Sequence, residues 1–426
     1  MKRHIGNITI IVLVILNILV WLVFPPENDG RANFARQYAG EIIGANNIIL
    51  MACSLFLSTR PKWAEKYFGG LDKMYLTHRH TGTAALLLIF VHVLTVPITT
   101  TGWALGNYLA VIAFVGIVTI VLITLAPRIP FLNRLTGGDY NDWKKLKRFI
   151  GIFFIIAFFH ALTIPNPLHA LIAITWVQIF FIIGAASYLY TELFGGFFKK
   201  LLPYKVEAVN HPNGSTTEVV LRAKKEPIKN QRAGQFLFVR FPGDKTLNES
   251  HPFTISSAPD EDAVRVTIKA SGDFTRHLFS KLQAGMDAVI EGAYGMFDYK
   301  TGGQKQIWVA GGIGVTPFLS FIRDMSGNLA HDVDFYYTVR HREEAIFVDE
   351  IEAAAKRNPR LKAHIRFSST DGSLTVEDIV RNAGGNISGH HIYMCGPLLM
   401  VQSFEKKFLA AGAAAGNIHY EEFNFR

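Results

Sequence analysis

Apolar residues form long runs in the first 200 positions and short alternating groups after them. Six runs are each close to the length that a helix needs to cross a bilayer. They span about 5–24, 42–58, 80–98, 105–126, 149–164 and 170–190. The first run lacks a small-residue cleavage site, so we expect a retained anchor rather than a signal peptide. The pattern predicts a bundle of six transmembrane helices over residues 1–200.

The alternation after this region predicts two further domains. Short strand-like stretches such as "QFLFVRF" and "AVRVTIKA" are separated by Gly and Pro turns, which is typical of an antiparallel β-barrel. We place it at residues 201–302. Strand-like "VDFYYTVR" and "HIYMCGPLLM" then alternate with helical stretches, which favours a parallel α/β domain over residues 303–426. The expected fold class is a multi-domain membrane protein.

The charge pattern suggests an orientation in a membrane. The net charge is +9, and much of the basic excess lies in short loops beside the apolar runs. The loops "PITTTGW" and "IPNPLH" contain no Lys or Arg, so the positive-inside rule places both termini in the cytoplasm. We therefore expect a multi-pass protein of the cell membrane, in contact with the lipid bilayer and with no nucleic-acid partner. The two cysteines exclude a disulfide framework.

Three histidines lie in or beside the predicted membrane helices. His78 and His92 are fourteen residues apart, so they share a helix face within about 40° and are separated by about 21 Å. His160, in the fifth run, lies at a similar depth to His92 in the expected orientation. Ionisable groups inside a membrane bundle are usually functional, and two depth-matched imidazoles suit the axial positions of a haem iron. The alternative is that each imidazole hydrogen-bonds a neighbouring helix.

Two stretches of the predicted barrel suggest a flavin site. "HPFTISSAP" (251–259) supplies hydroxyls and backbone donors suited to an isoalloxazine edge, and "VTIKASGDFTRHL" (266–278) leads into a helix whose amides suit a pyrophosphate. One Ser/Thr-rich turn means little alone, but the two stretches in this order are much more specific for a flavin site. The candidate residues are His251, Pro252, Phe253, Thr254, Ser256, Ser257, Lys269, Gly272 and Thr275.

A glycine turn suggests a nucleotide site in the last domain. In "KQIWVAGGIGVTPFLSFIRDM" (305–325) an apolar strand leads through the turn to a helix, as in phosphate-binding folds. Further along, basic residues follow a predicted strand, where they could hold a 2′-phosphate and favour NADPH over NADH. The alternative is ordinary solvated surface. The candidate residues are Gly311, Gly312, Gly314, Thr316, Pro317, Arg340 and Arg342.

Two candidate catalytic residues lie near the end of the chain. "YMCGP" (393–397) puts Cys395, with Gly396 and Pro397, at the carboxyl end of a strand, where ligands gather in open sheets. We expect Cys395 to lie beside the nicotinamide and align hydride transfer. Phe423, in the closing "IHYEEFNFR", would stack on the flavin ring and be displaced by nicotinamide. The alternative for Phe423 is a floppy tail.

Together these features resemble the NADPH oxidase and transmembrane ferric reductase family. The resemblance is carried by the apolar runs with histidines in the third and fifth, followed by "HPFTISS", "GGIGVTPF" and "MCGP" in that order. It implies FAD, haem b and NADPH, with dioxygen (giving superoxide) or a ferric chelate as the outer electron acceptor. No calcium-binding extension precedes the first run, so we expect no obligatory calcium.

The chain departs from that family at one expected haem ligand. The family has an inner histidine thirteen residues before the outer one in the fifth helix, and here Lys147 occupies that position. An inner haem held by His78 and Lys147, an inner haem held by His78 alone, and no inner haem all stay open. The chain would accordingly carry one or two haems.

Two other functions are compatible with the same sequence. The first is a membrane-anchored flavin reductase without haem that feeds a partner protein. The second is a quinone-linked electron donor to a periplasmic repair enzyme.

Overall fold

The computed structural model describes residues 4–97, 102–125, 146–164, 168–195, 200–325 and 330–421. The chain divides into two compact units. One is formed by residues 2–68 and 73–198, and the other by residues 69–72 and 199–426.

The N-terminal unit is helical. Within it α2 packs against α1 and α7, and α5 packs against α6. Large apolar side chains also point outward from the bundle, among them Ile11, Leu122 and Ile182. The helices are α1 (Ile5–Val23), α2 (Phe34–Ser58), α3 (Glu65–Phe68), α4 (Leu71–Thr95), α5 (Leu105–Leu125), α6 (Ile150–Thr163) and α7 (Leu171–Leu189).

In the described part of the chain, four helices rather than the predicted six are long and apolar enough to cross a membrane. They are Ile5–Val23, Phe34–Ser58, Leu105–Thr124 and Leu171–Phe194. Helix α4 has 25 residues, but its histidines and Arg79 make it too polar. Helix α6 has 14 residues, which is short for a bilayer about 30 Å thick. The expectation of a helical N-terminal region is confirmed, and that of six apolar spans is not.

The second unit begins with a six-stranded antiparallel sheet, with strand order β4-β3-β6-β1-β2-β5. The sheet forms because apolar residues alternate; in β1, for example, Leu202, Tyr204 and Val206 are buried. A bridge between Ile255 and Val266 links the residue after β4 to β5, while closure into a barrel stays a prediction. The strands are β1 (Leu202–Asn213), β2 (Thr216–Ala223), β3 (Phe236–Arg240), β4 (His251–Thr254), β5 (Ala263–Lys269) and β6 (Asp287–Tyr294), and α8 (Asp273–Lys281) follows β5.

A five-stranded parallel sheet completes this unit, with strand order β11-β10-β7-β8-β9. Its central strand is buried on both faces, with Ile307 and Val309 in one core and Trp308 and Ala310 in the other. The elements are β7 (Lys305–Gly311), α9 (Thr316–Asp324), β8 (Asp332–Val339), α10 (Val348–Arg357), β9 (Leu361–Phe367), α11 (Val376–Asn382), β10 (His391–Cys395), α12 (Leu398–Ala410) and β11 (Ile418–Tyr420).

The order of this sheet creates a switch point between β7 and β10. From β7 the chain continues to β8 and β9 on one side, and returns to β10 and β11 on the other. Ligands bind at such points, outside the carboxyl ends of the strands. Because Ala310 pairs with Cys395, the glycine turn and the "MCGP" segment meet there.

Candidate functional site

The glycine turn packs directly against the end of β10. A Cβ atom at Gly314 would lie 2.3 Å from the carbonyl oxygen of Cys395, and one at Gly311 would lie 2.9 Å from the Cδ atom of Pro397. Any side chain at either glycine would therefore push the two segments apart. The fold thus brings Gly311, Gly314, Cys395, Gly396 and Pro397 together at the switch point.

The space beside the turn is open where a phosphate group would be held. Gly312 has φ +56°, and a Cβ atom there would meet nothing within 4 Å. Thr316 and Pro317 are buried at the start of α9, so they shape the helix N-terminus rather than present side chains to solvent. Backbone amides at such a terminus bind phosphate.

The Cys395 thiol lies in a buried, electronegative environment. Burial and the nearby carboxylate of Glu421 raise the pKa of Cys395 well above its usual range. The thiol is therefore neutral at physiological pH, which suits a packing and alignment role rather than a nucleophilic one. Glu421 is 4% exposed and was not among the residues predicted from the sequence, although it lies in the quoted tail. Phe423 lies outside the described residues.

Within "HPFTISS" two of the three hydroxyls are hydrogen-bonded to other described residues. The Ser256 hydroxyl lies 3.0 Å from that of Thr267, and the Ser257 hydroxyl accepts from the backbone N–H of Arg265 at 3.1 Å. Thr254 is 3% exposed, and its Oγ1 has no hydrogen-bond partner among the described residues. Since a buried hydroxyl is normally paired, Thr254 fits a bound group that supplies the missing partner.

Aromatic rings line the other end of the same motif. The His251 ring stacks on Phe274, with centroids 3.8 Å apart and an angle of 28° between the planes. Phe253 stacks on Phe274 at 6.3 Å. Residues 251–253 are only partly buried, so the cluster offers a flat apolar surface. Phe274 was missed at the sequence level, and its position in "SGDFTRHL" was the available signal.

The residues around the start of α8 are used differently from their expected roles. The Thr275 hydroxyl accepts from the backbone N–H groups of Ser271 and Gly272, each at 2.9 Å, and so fixes the turn that starts the helix. The Lys269 ammonium lies 3.5 Å from the Glu344 carboxylate. Glu344 lies shortly after β8, so Lys269 faces the nucleotide domain.

The basic residues after β8 border a cleft. Arg340 and Arg342 are exposed, and the Arg342 guanidinium lies 5.6 Å from the centre of the Phe367 ring. A cavity of about 450 Å³ is bordered by Arg342, Phe347, Asp349 and Phe367. The position, at the carboxyl ends of β8 and β9, is where the adenosine part of a dinucleotide lies in this type of sheet.

In the helical unit, His92 of α4 and His160 of α6 face each other. Their ring centres are 6.5 Å apart and the ring planes make an angle of 74°. Two imidazoles on opposite sides of one metal ion have ring centres about 6 Å apart. Each metal–nitrogen bond is about 2 Å long, and each ring centre lies about 1 Å beyond its nitrogen. The separation is therefore compatible with two imidazoles that would hold one metal ion between them.

Hydrogen bonds set the protonation of all three candidate histidines. The Nδ1 atoms of His92 and His160 each lie 2.9 Å from a backbone carbonyl oxygen, that of Gly40 and Gly106 respectively. His78 Nδ1 lies 2.8 Å from the carbonyl oxygen of Ser54. A carbonyl oxygen can only accept, so each Nδ1 carries a proton, and in the neutral ring Nε2 keeps its lone pair. This is the usual arrangement of metal-ligating histidines.

A metal ion held by side chains alone needs several ligands close together. Among the described residues, no group of three or more His, Cys, Asp or Glu side chains is placed to hold one. A haem iron takes its equatorial ligands from the macrocycle and needs the protein only at the axial positions, so the pair fits haem. Lys147, which begins a 3₁₀ turn before α6, lies within electrostatic range of His78.

Comparison with known proteins agrees with the geometry of the C-terminal half. Residues 202–307 match the family model of an FAD-binding domain, and residues 308–406 match that of an oxidoreductase NAD-binding domain. The C-terminal half is the FAD- and NAD(P)H-binding module of an oxidoreductase. This module resembles those of ferredoxin–NADP reductases, and the predicted FAD and NAD(P)H binding is confirmed at the level of the domains.

Curated relatives share this module at low identity. The chain is 28% identical over 205 residues to the carnitine monooxygenase reductase subunit of Escherichia coli, covering 46% of this chain and 60% of the relative. It is 28% identical over 205 residues to the reductase component of propane 2-monooxygenase from Rhodococcus jostii, covering 45% and 55%. The chain therefore spans under two thirds of the length of these relatives.

One solved structure resembles more of the chain. The flavohemoglobin of Malassezia yamatoensis, with bound FAD and haem, aligns with a TM-score of 0.54 and 17% identity, covering 91% of this chain and 97% of that one. At this identity the match is evidence of a similar fold alone.

Proposed function

We propose that this protein is a membrane-spanning flavocytochrome. It takes electrons from NADPH in the cytoplasm and delivers them, through FAD and haem b, to dioxygen or a ferric chelate on the outer side. Residues 1–200 form the haem domain, 201–302 the FAD domain and 303–426 the NADPH domain. One observation carries the proposal: a reductase module follows a helical bundle in which His92 and His160 face each other 6.5 Å apart.

The residues of the reductase module bind and orient the two redox partners. When bound, FAD accepts a hydride from NADPH and can release the electrons one at a time. Thr254 offers its unpaired hydroxyl to the flavin, and His251, Phe253 and Phe274 border its adenosine end. The open backbone at Gly312 leaves room for the pyrophosphate of NADPH, and the neutral Cys395 thiol packs beside the nicotinamide.

The histidines of the bundle would hold the haem iron. His92 and His160 would bind it through Nε2, because their Nδ1 atoms are bonded to the carbonyl groups of Gly40 and Gly106. These bonds fix the tautomer and the ring orientation. His78 has the same arrangement with Ser54. The opposite ligand of an inner haem would be Lys147 or none, since the histidine of the resembling family is absent.

The membrane assignment rests on apolar surface and charge. Exposed apolar side chains such as Ile11 and Ile182 suit lipid on the outside of a bundle. The loops rich in Lys and Arg favour a cytoplasmic position for both termini, and so for the reductase module. That side is where NADPH is available.

The experiment is purification of the full chain in detergent, with quantification of haem and FAD, followed by NADPH oxidation assays. We expect stoichiometric FAD, at least one haem per chain, and turnover with oxygen or ferric citrate. FAD without haem would contradict the flavocytochrome proposal. Superoxide formation and ferrous iron formation, measured separately, identify the acceptor.

The second candidate is a membrane-anchored reductase that feeds a partner protein. It is favoured by relatives whose names describe reductase components of monooxygenases. In that case the purified chain would oxidise NADPH with artificial acceptors, show no haem absorption band, and need an added partner or quinone for turnover with its natural acceptor.

A further inference from the structure

Two side chains of helix α9, one helical turn apart, form hydrogen bonds to the flavin motif "HPFTISS" (251–257). The Ser320 hydroxyl donates to the carbonyl oxygen of Ser257 at 2.7 Å, and the Arg323 guanidinium donates to the carbonyl oxygen of Ser256 at 2.8 Å. These carbonyl groups are consecutive in "HPFTISS", and α9 directly follows the glycine turn. A single helix face therefore connects the flavin-binding backbone with the start of the nucleotide-binding helix.

The Arg323 side chain is 9% exposed and lies between two carboxylates from different domains. It donates to both oxygens of Glu350 on α10, at 2.7 and 2.8 Å. It also lies 3.5 Å from Glu218 of β2, whose side chain is 7% exposed. Arginine can hold this geometry because its planar fork bonds several oxygens at once. Lysine offers only a point charge.

At the same interface, the backbone of the loop before β3 is closely packed against α9. Gly234, in the loop before β3, has φ +84°, and a Cβ atom there would lie 2.2 Å from the carbonyl oxygen of Phe297 and 2.4 Å from the Phe321 ring of α9. The backbone N–H of Gly234 also donates to the Ser320 hydroxyl at 3.3 Å. The loop therefore approaches α9 as closely as the backbone allows.

We propose that Arg323 and Ser320 are positioning residues for hydride transfer, because they fix the distance between the nicotinamide and flavin sites. In this step the C4–H bond of NADPH breaks and the N5–H bond of the flavin forms. The hydride carries two electrons, so NADPH becomes NADP⁺ and the flavin is reduced by two electrons. A displacement of about 1 Å can slow such a step about a hundredfold. The inference rests on the reductase module of the proposed function and not on its haem domain.

The test is anaerobic single-turnover reduction of the bound flavin by NADPH in the full chain. The variants are Arg323→Lys, Arg323→Gln and Ser320→Ala. We expect the rate at saturating NADPH to fall about tenfold or more, with FAD still stoichiometric and the Kd for NADPH within about threefold of the original. With NADPH deuterated at C4, the primary isotope effect should be larger in the variants. Arg222→Lys is the matched control, since Arg222 makes a two-bond pair with Glu207 on an exposed sheet face.

Several outcomes would overturn the inference. One is a lowered melting temperature in Arg323→Lys and Ser320→Ala with an unchanged rate and isotope effect, which indicates a structural role only. Another is an equal loss of rate in Arg222→Lys. If Arg323→Gln does not fold because the buried Glu218 carboxylate loses its cationic partner, the results for Arg323→Lys and Ser320→Ala test the inference. A chain that lacks haem would contradict the flavocytochrome proposal but would leave this measurement valid.

Discussion

At the scale of the residue, the Thr254 hydroxyl is the most informative group in the flavin motif. A buried hydroxyl without a partner costs about 1–3 kcal/mol of folding stability. Its neighbours Ser256 and Ser257 avoid this cost through hydrogen bonds to Thr267 and Arg265 of β5. The cost at Thr254 is offset when a ligand supplies the partner. The hydroxyl should therefore lower the stability of the FAD-free protein and raise its affinity for FAD.

The first prediction tests this reversal. Thr254→Val keeps the shape and removes the hydroxyl, so the FAD-free protein should be as stable as the original or slightly more stable, while FAD affinity falls about fivefold to tenfold. Thr267→Val, at a buried hydroxyl paired with Ser256, should instead lower the stability of the FAD-free protein. Thermal unfolding and FAD titration measure both effects. An unchanged FAD affinity in Thr254→Val would remove Thr254 from the flavin site.

A second prediction concerns the Cys395 thiol. Its pKa is raised in the folded protein, whereas the unfolded chain loses this proton near about pH 8.5. Stability from this group is therefore fully present below that pH and falls as pH rises through it, by up to about 1.4 kcal/mol per pH unit. Between about pH 8 and pH 9.5, thermal unfolding of Cys395→Ala should show a flatter pH dependence than the original protein. Identical slopes would contradict the buried, neutral thiol.

The candidate residues of the flavin and nucleotide sites could be named from the sequence, but their hydrogen-bond partners could not. "HPFTISS" indicated a group of hydroxyls, yet which one lacks a partner depends on Thr267 and Arg265, residues of a different strand. Glu421 and Phe274 were missed for the same reason. A charged tail residue and a single phenylalanine become meaningful only when the fold places them beside Cys395 and His251.

At the scale of the element, close helix packing holds the His92 ring. The ring lies against Gly44 of α2, where a Cβ atom would be 3.0 Å from Cε1. Its Nδ1 atom bonds the carbonyl of Gly40, one turn earlier on the same helix. Glycines on one face of α2 thus leave the space in which the imidazole stands, and the orientation of the ring depends on the fit between α2 and α4.

A third prediction follows from that fit. Gly44→Ala should displace the His92 ring by a few tenths of an ångström or more and so lower haem occupancy or change its low-spin spectrum. Gly82→Ala is the control, because a Cβ atom there would lie 3.7 Å from the Ser54 hydroxyl, an ordinary contact. Absorption spectra of the two purified variants give the comparison. A normal spectrum in Gly44→Ala would mean that α2 does not orient this ligand.

Apolar periodicity indicated the main elements, but not their ability to cross a bilayer. The alternation of strand-like and helical stretches, together with the glycine turn, correctly indicated the parallel sheet, because both patterns are local. The sequence predicted six apolar spans, and the described residues contain four. Helix α4 carries polar histidines, and α6 is shorter than its run suggested. The exceptions are the two helices that bear the candidate haem ligands.

At the scale of the whole molecule, the proposed function requires an electron path from the reductase module to the His92–His160 pair. An inner haem would act as a relay along that path. The chain has His78 with a set tautomer, but Lys147 where the resembling family has a histidine. An amine can bind iron only when it is deprotonated, so we expect Lys147 to be a weaker ligand for an inner haem than a histidine would be.

The fourth prediction addresses this departure. Lys147→His should raise the haem-to-protein ratio and speed the reduction of haem by NADPH, because it supplies a second imidazole for the inner site. Arg148→His, at an exposed neighbour paired with Glu192, should change neither. If the original protein already holds two haems per chain and Lys147→His alters neither spectrum nor rate, the impaired inner site is refuted.

The most direct test of the central claim is anaerobic reduction of the purified full chain by NADPH, followed at the absorption bands of flavin and haem. The account predicts flavin reduction followed by reduction of a low-spin haem. It further predicts that His92→Ala and His160→Ala each lose that haem signal while FAD remains bound and is still reduced by NADPH. A normal low-spin haem spectrum in both variants, or a purified protein that contains FAD and no haem, would contradict the account.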